Sequence, residues 1–114
     1  MTKHKSFALF TLMLFIGFCS FAQKSTDDFS GKWKTEEGNI IEISKNGTGF
    51  IGMGTIHKQV IVKDLQFKDN KWVSEITNPI KNITANGEFF LDGNKIKIVA
   101  RKSIFSKTIY WTKQ

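Results

Sequence analysis

Ile40–Met53 reads IIEISKNGTGFIGM. Ile41 and Ile43 alternate with Glu42 and Ser44, the two-residue period of a half-buried strand. Asn46-Gly47 follows, and then a second β-rich run. An Asn-Gly pair between two such runs is the strongest short-range mark of a hairpin, because these residues accept the positive φ that a tight turn requires. Outward from this hairpin the same pattern repeats. Ile96 and Ile98 alternate with Lys95 and Lys97, and Trp72, Ser74 and Ile76 alternate with Val73, Glu75 and Thr77. Asp69-Asn70, Asn78-Pro79, Asp92-Gly93 and Lys102-Ser103 break the chain at regular intervals. No window of helical length carries an apolar face at helical spacing. The pattern predicts strands at 31–36, 39–46, 48–56, 60–67, 71–77, 83–91, 95–101 and 106–112. Tight turns between successive strands make a meander, and closing a meander into an up-and-down barrel removes its exposed edges. Gly52 and Gly54 inside the third strand mark the bend, bulge or close approach that a small barrel needs. The expected fold is all-β, an antiparallel barrel of about eight strands.

The chain has 114 residues and a formal net charge of +7. Its first 22 residues do not read as part of the barrel. Lys3, His4 and Lys5 make a positive start, Phe7–Phe18 is an apolar run, and Ser20 and Ala22 place small residues before a cut after Ala22. That order predicts a secretory signal peptide, helical before removal. Its apolar run is shorter than the ~20 residues a bilayer span needs. Cys19 follows Phe18 rather than a small residue, so a lipid-anchored cysteine is not expected. The organisation predicted is a signal peptide at 1–22 and a barrel domain at 23–114, exported from a bacterium to the periplasm or beyond, with no membrane span once the leader is gone. Cys19 leaves with the leader, so the barrel has no disulfide and stands on its apolar core. Of the 17 basic residues only Lys3 and Lys5 are lost, against 10 acids retained. Lys95, Lys97, Arg101, Lys102, Lys107 and Lys113 give the last strands a run of cations with no acid. Two readings stand: a surface for anions such as an envelope component, or lysines on outward strand positions that keep edges soluble. Nucleic acid is not an expected partner of an exported protein.

The strand region of the predicted domain opens with Gly31-Lys32-Trp33 and closes with Trp111-Thr112-Lys113. A Gly-x-Trp at the first strand is similar to the lipocalin-like (calycin) barrels. That resemblance implies that Trp33 plugs one end and a cation of the closing strands stacks over it, with Lys113, Arg101 or Lys107 available. The implied barrel-closing set is Gly31, Trp33, Trp111 and Lys113. The segments GKWKTEEGNIIEI, KDLQFKDNKWVSEITNP, FFLDGNKIKIVA and YWTK, in that order, span nearly all of 31–113. Through them the chain resembles the small exported bacterial proteins of the family called domain of unknown function 2147. Members of that family carry a longer segment after the third strand, often with a cysteine pair, and more often an Arg as the final cation. Here GTIHKQVIV leads almost directly into the next strand, no cysteine is present there, and the final cation is Lys113. The resemblance implies fold and compartment, and no activity.

Little catalytic chemistry is on offer. His57, the one histidine after the leader, sits in the polar turn TIHKQ, whereas a metal site wants three or four ligands and a triad wants a nucleophile, a base and an orienting group. Glu36 and Glu37 precede Gly38 in a turn, and Glu42 alternates outward. The expectation is a non-enzyme without metal or cofactor. What remains is the interior: Trp33, Ile41, Ile43, Phe50, Val60 or Ile61, Leu65, Phe67, Trp72, Ile76, Phe89, Leu91, Ile96, Ile98, Ile109 and Trp111. Eight-stranded barrels are filled by side chains or hold one small ligand, and Gly52, Gly54, Ser74, Ala85, Gly87 and Ala100 would leave space. Phe50, Trp72, Ile76 and Phe89 are the candidate ligand-binding residues, with Arg101 or Tyr110 fixing a polar end. Ile51, Met53, Val73, Phe90 and Tyr110 lie off the core parity and could form an outer apolar patch. The function expected is an exported lipocalin-like barrel that binds a small apolar or amphipathic molecule. The alternative is a filled barrel acting as an envelope interaction module through its outer surface and basic C-terminal strands.

Overall fold

The computed structural model describes residues 23–56 and 58–114; the expected signal peptide and His57 lie outside the described residues. Eight strands follow in order: β1 (Gly31–Lys34), β2 (Ile40–Asn46), β3 (Gly49–Gly54), β4 (Val60–Lys68), β5 (Lys71–Asn78), β6 (Ile83–Asp92), β7 (Lys95–Lys102) and β8 (Phe105–Lys113). Each strand pairs antiparallel with the next, and β8 pairs with β1 through Trp33 with Lys113 and Lys34 with Thr112. The sheet is therefore a closed up-and-down barrel. Turn chemistry sets the hairpins. Asp69 and Asn70 both take positive φ, 51° and 64°, between the paired Lys68 and Lys71, as a two-residue primed turn demands. Gly47 (φ 64°) and Gly93 (φ 58°) take the first turn position in the β2–β3 and β6–β7 hairpins.

Strand parity follows the apolar alternation nearly everywhere. Ile41, Ile43, Trp72, Ile76, Phe89, Ile96, Ile98 and Trp111 are buried, while Glu42, Glu75, Lys95 and Lys97 are exposed. β4 departs from it. Its pairing shifts against β3 between Phe50 and Gly52 and between Gly52 and Met53, and against β5 between Val62 and Gln66. These are bulges, in which extra residues on one strand face fewer on its neighbour. Ile61 and Val62 are consequently both buried, and Leu65 is the next inward residue. Val60, the other candidate for that inward position, is exposed. Gly52 lies at the shift, where a Cβ would stand 3.0 Å from Val62: the close approach expected of a strand glycine. Ser74 completes the irregular stretch, accepting from the Asp64 amide at 3.1 Å and donating to the Glu75 carbonyl at 2.9 Å.

The two ends of the barrel differ. Phe29, ahead of β1, is fully buried and meets Trp72, Phe50 and Phe89 edge-on, with ring centroids 5.3, 5.8 and 6.3 Å apart. Phe67 joins through Trp72 at 5.4 Å. Edge-to-face geometry is the favourable one for aromatic quadrupoles. Residues 23–30 thus form a strap across the end that holds the β2–β3, β4–β5 and β6–β7 turns. The strap also satisfies both deep indoles, as buried N–H groups require: Trp33 Nε1 donates to the Phe29 carbonyl at 2.9 Å and Trp72 Nε1 to the Lys24 carbonyl at 2.7 Å. The Gln23 side chain accepts from the Trp72 amide and donates to Glu88 at 2.6 Å.

Candidate functional site

The residues implied to close the barrel are placed as follows. Trp33 is buried on β1, and directly across from it on β8 stands Lys113. Lys113 Nζ lies 4.8 Å from the Trp33 ring centroid and donates to the Ser30 carbonyl at 3.0 Å. Gly31 makes room for this side chain: at φ 130° a Cβ would stand 2.7 Å from Lys113 Nζ. Trp111 has a different position. Its ring partner is Phe89, at 6.3 Å, and its other side faces the opposite end of the barrel. Asp28 stiffens the strap beside this seal. Its carboxylate accepts from the Ser30 hydroxyl at 2.6 Å and the Ser30 amide at 3.0 Å, and these bonds hold its pKa below the usual 3.8.

The opposite end is open. A cup of about 240 Å³ enters between the β1–β2, β3–β4 and β5–β6 loops and is walled by Ile41, Ile61, Ile76, Ile109 and Trp111. Glu36 and Glu37 stand at its mouth with Lys107, which shares the inward parity of Ile109 and Trp111 on β8. Gly54 also lines it, with no neighbouring atom closer than 4.0 Å to where a Cβ would be. The remaining expected gap-makers do not open on the cup. Val62 fills the space at Gly52, and Phe89, Ile98 and Ile76 fill that at Gly87.

Of the candidate ligand-binding residues only Ile76 lines this cup. Phe50, Trp72 and Phe89 are buried in the aromatic plug instead. Arg101 and Tyr110 require correction as holders of a polar end. Both are exposed, because 97, 99 and 101 on β7 and 110 on β8 take the parity opposite to Ile96, Ile98 and Trp111. Arg101 lines a groove of about 500 Å³ on the outer wall, with Lys63, Lys68, Lys71, Asp64, Glu75 and Glu88. The outer apolar patch is interrupted as well. Lys97 stands in register between Phe90 and Tyr110, with its Nζ 5.6 Å from the Phe90 ring centroid. Among the described residues no three His, Cys, Asp or Glu side chains gather as a metal-ligand set.

Two features escaped the sequence reading. Phe29 was visible as a lone aromatic in DDFSGKW, four residues before Trp33, but it lies outside any strand pattern. Lys107 at the cup mouth was signalled by its parity with Ile109 and Trp111. Fold and site together define a closed eight-stranded barrel, stoppered by an aromatic strap at one end and open into an apolar cup at the other. Compared with protein-family models, curated proteins and solved structures, the chain finds no match.

Proposed function

We propose that residues 23–114 act as an exported, non-enzymatic, lipocalin-like barrel that takes up one small apolar or amphipathic molecule through the open end, and that the chain is a member of the family called domain of unknown function 2147. The observation that carries the reading is the cup, in which seven isoleucines and an indole are joined by polar side chains such as Asn39, Gln59, Thr77 and Asn78 and by the charges of Glu36, Glu37 and Lys107. Burying an acyl or terpenoid segment there would release water from apolar surface on both sides, worth ~25 cal/mol per Å². At about 240 Å³ the cup is smaller than the ~300–1,000 Å³ of sites for drug-sized molecules. The occupant is therefore small, or inserts only one end. Lys107 supplies a cation for an acidic head group, in the role first given to Arg101 or Tyr110. Native mass spectrometry of protein purified from its own host tests the reading, together with titration by a dansyl-labelled fatty acid. A co-purifying small molecule, displaced by the labelled acid, is the expected result. A ligand-free barrel that leaves the dansyl emission unchanged would remove it.

One observation favours action through the outer surface. The outer groove is the larger concavity, and it carries four cations and three carboxylates. Charges of both signs suit a partner protein better than a uniform polyanion. Pull-down with Lys63, Lys71 and Arg101 of the groove reversed in charge distinguishes this second reading, which fails if capture is unchanged.

A further inference from the structure

The barrel sorts its turn residues by end. At the plugged end the turns are Gly47-Thr48, Asp69-Asn70 and Gly93-Asn94, with no large apolar side chain. At the open end three of the four hairpin connections present one. Ile56 is 76% exposed between β3 and β4, Ile80 is 80% exposed between β5 and β6, and Ile104, between β7 and β8, and Phe105, the first residue of β8, are 90% and 74% exposed. Val60 and Ile83, which open β4 and β6 at the same end, are also exposed. Among the described residues, the only other exposed large hydrophobic is Tyr110. Turn tips are ordinarily polar because the turn needs Gly, Asn, Asp, Pro or Ser and faces water. Ile56 and Ile80 also line the mouth of the cup, whereas Ile104 and Phe105 line no part of it, and all four remain mostly exposed.

Lysines stand at both ends, and what sets the three apolar loops apart is that their lysines have no acid among them. Lys58 and Lys81 lie in the loops of Ile56 and Ile80, Lys102 and Lys107 flank Ile104-Phe105, and these three loops hold no carboxylate. The acids of this rim, Glu36 and Glu37, are confined to the fourth loop, whereas at the plugged end Asp27, Asp28, Asp69 and Asp92 are interspersed with Lys24, Lys68, Lys71, Lys95 and Lys113. We propose that the open end docks on a bilayer carrying anionic phospholipids. Ile56, Ile80, Ile104 and Phe105 enter the boundary between head groups and acyl chains, and the four lysines meet phosphates. Apolar side chains that immerse together with neighbouring lysines are the combination that holds a protein at such an interface. Tips on three separate loops around an opening, rather than one continuous face, suit a fluid surface that closes around each of them. The acidic β1–β2 loop is repelled, so the barrel tilts away from that side. The mouth of the cup then opens toward the lipid. The docking surface itself does not depend on the cup being occupied.

The test is flotation of the exported protein, its N-terminus verified at Gln23 so that the leader contributes nothing, with two sets of vesicles. One is phosphatidylcholine alone, and the other contains about 30% phosphatidylglycerol. Flotation is expected with the anionic vesicles and should weaken as salt rises from about 0.05 to about 0.5 M. Replacing Ile56, Ile80, Ile104 and Phe105 together by Ser should weaken partition about tenfold or more, with far-UV circular dichroism and the thermal transition unchanged. An environment-sensitive fluorophore on Ile104→Cys should shift to the blue on anionic vesicles, and the same label on Asn94→Cys at the plugged end should not. Equal flotation of the parent and the Ser variant overturns the proposal, as does an equal response from both labels. Rim-dependent capture of a soluble protein without flotation also overturns it, and makes the rim a protein-docking surface. Flotation without fatty-acid uptake keeps the docking proposal and removes the ligand reading; uptake without flotation does the reverse.

Discussion

Phe29 touches three other rings and carries the strap carbonyl that accepts the Trp33 indole. Truncating it opens a cavity among the rings of Phe50, Trp72 and Phe89. Phe29→Ala should therefore destabilise by about 3–5 kcal/mol, a large share of the ~5–15 kcal/mol by which small domains are stable. Urea denaturation followed by tryptophan emission measures it. Lys113 is a weaker fastening, because it is solvent-exposed. Its contact with the Trp33 face is worth about 0.5–1 kcal/mol, and its bond to Ser30 adds a screened increment. Lys113→Ala should lower stability by about 1 kcal/mol, with Lys113→Met retaining part of the effect through stem packing over the indole. Equal stability of the Ala variant and the parent in the same urea series would show that the stacking contributes nothing. Asp28 acts on the same strap. Its carboxyl titrates below its unfolded value of 3.8, so the folded state favours the ionised form. The resulting stabilisation is complete above 3.8 and is lost as pH falls through the depressed folded value. Asp28 is exposed, so screening keeps the effect small. Asp28→Asn should flatten the acid limb of the Tm against pH profile below about pH 4, and leave the profile near neutrality unchanged in shape.

At the scale of strands, the shape of the wall depends on β4. Gly49 opens β3 directly beneath it, where an added Cβ would collide with the Leu65 backbone carbonyl and press on Gln66. Backbone cannot swing aside as a long side chain can, so Gly49→Ala must displace β3 from β4. The expected loss is several kcal/mol, in the range of severe overpacking at about 1–3 kcal/mol or above it, and chemical-shift changes should concentrate at Phe50 and Leu65. β4 also shows where sequence stops being legible. Alternation identified the inward residues of β2, β5 and β7, because a strand without irregularity turns every second side chain inward. In VIVKDLQF that rule has no valid register, since the bulges change parity partway along. Val62 was missed and Val60 stood level with Ile61 for this reason. The strap was illegible for a different one. Residues 23–30 have no period, and Phe29 is recognisable as core only when the plug it completes is visible. Arg101 and Tyr110 were misassigned against their own parity, which already put both on the outer wall.

At the scale of the whole barrel, what alternation cannot supply is height. It says which side chains face inward, and nothing about how far along the axis each lies. Phe50, Trp72 and Phe89 share inward parity with Ile76, yet the first three fill the plugged end and Ile76 lines the cup. Strand tilt and stagger decide that division, and they are properties of closure. The same division makes cup and stability separable by mutation. Gly54 faces the cup with free space around it, and its register partner on β2 is Ile41. A phenyl group at this position would start from a Cβ with no neighbouring atom closer than 4.0 Å and extend into the volume a ligand needs. It would also replace the strand residue with the largest unfolded-state entropy, which favours folding by ~0.5–1 kcal/mol. Gly54→Phe should thus keep or raise the urea midpoint while cutting uptake of the dansyl-labelled fatty acid by tenfold or so, since ~1.4 kcal/mol of lost binding is a factor of ten. Flotation on anionic vesicles should be unchanged, because Ile56, Ile80, Ile104 and Phe105 are untouched. Undiminished uptake by Gly54→Phe at parental stability would mean that the fatty acid binds outside the cup, with the outer groove as the next place to look.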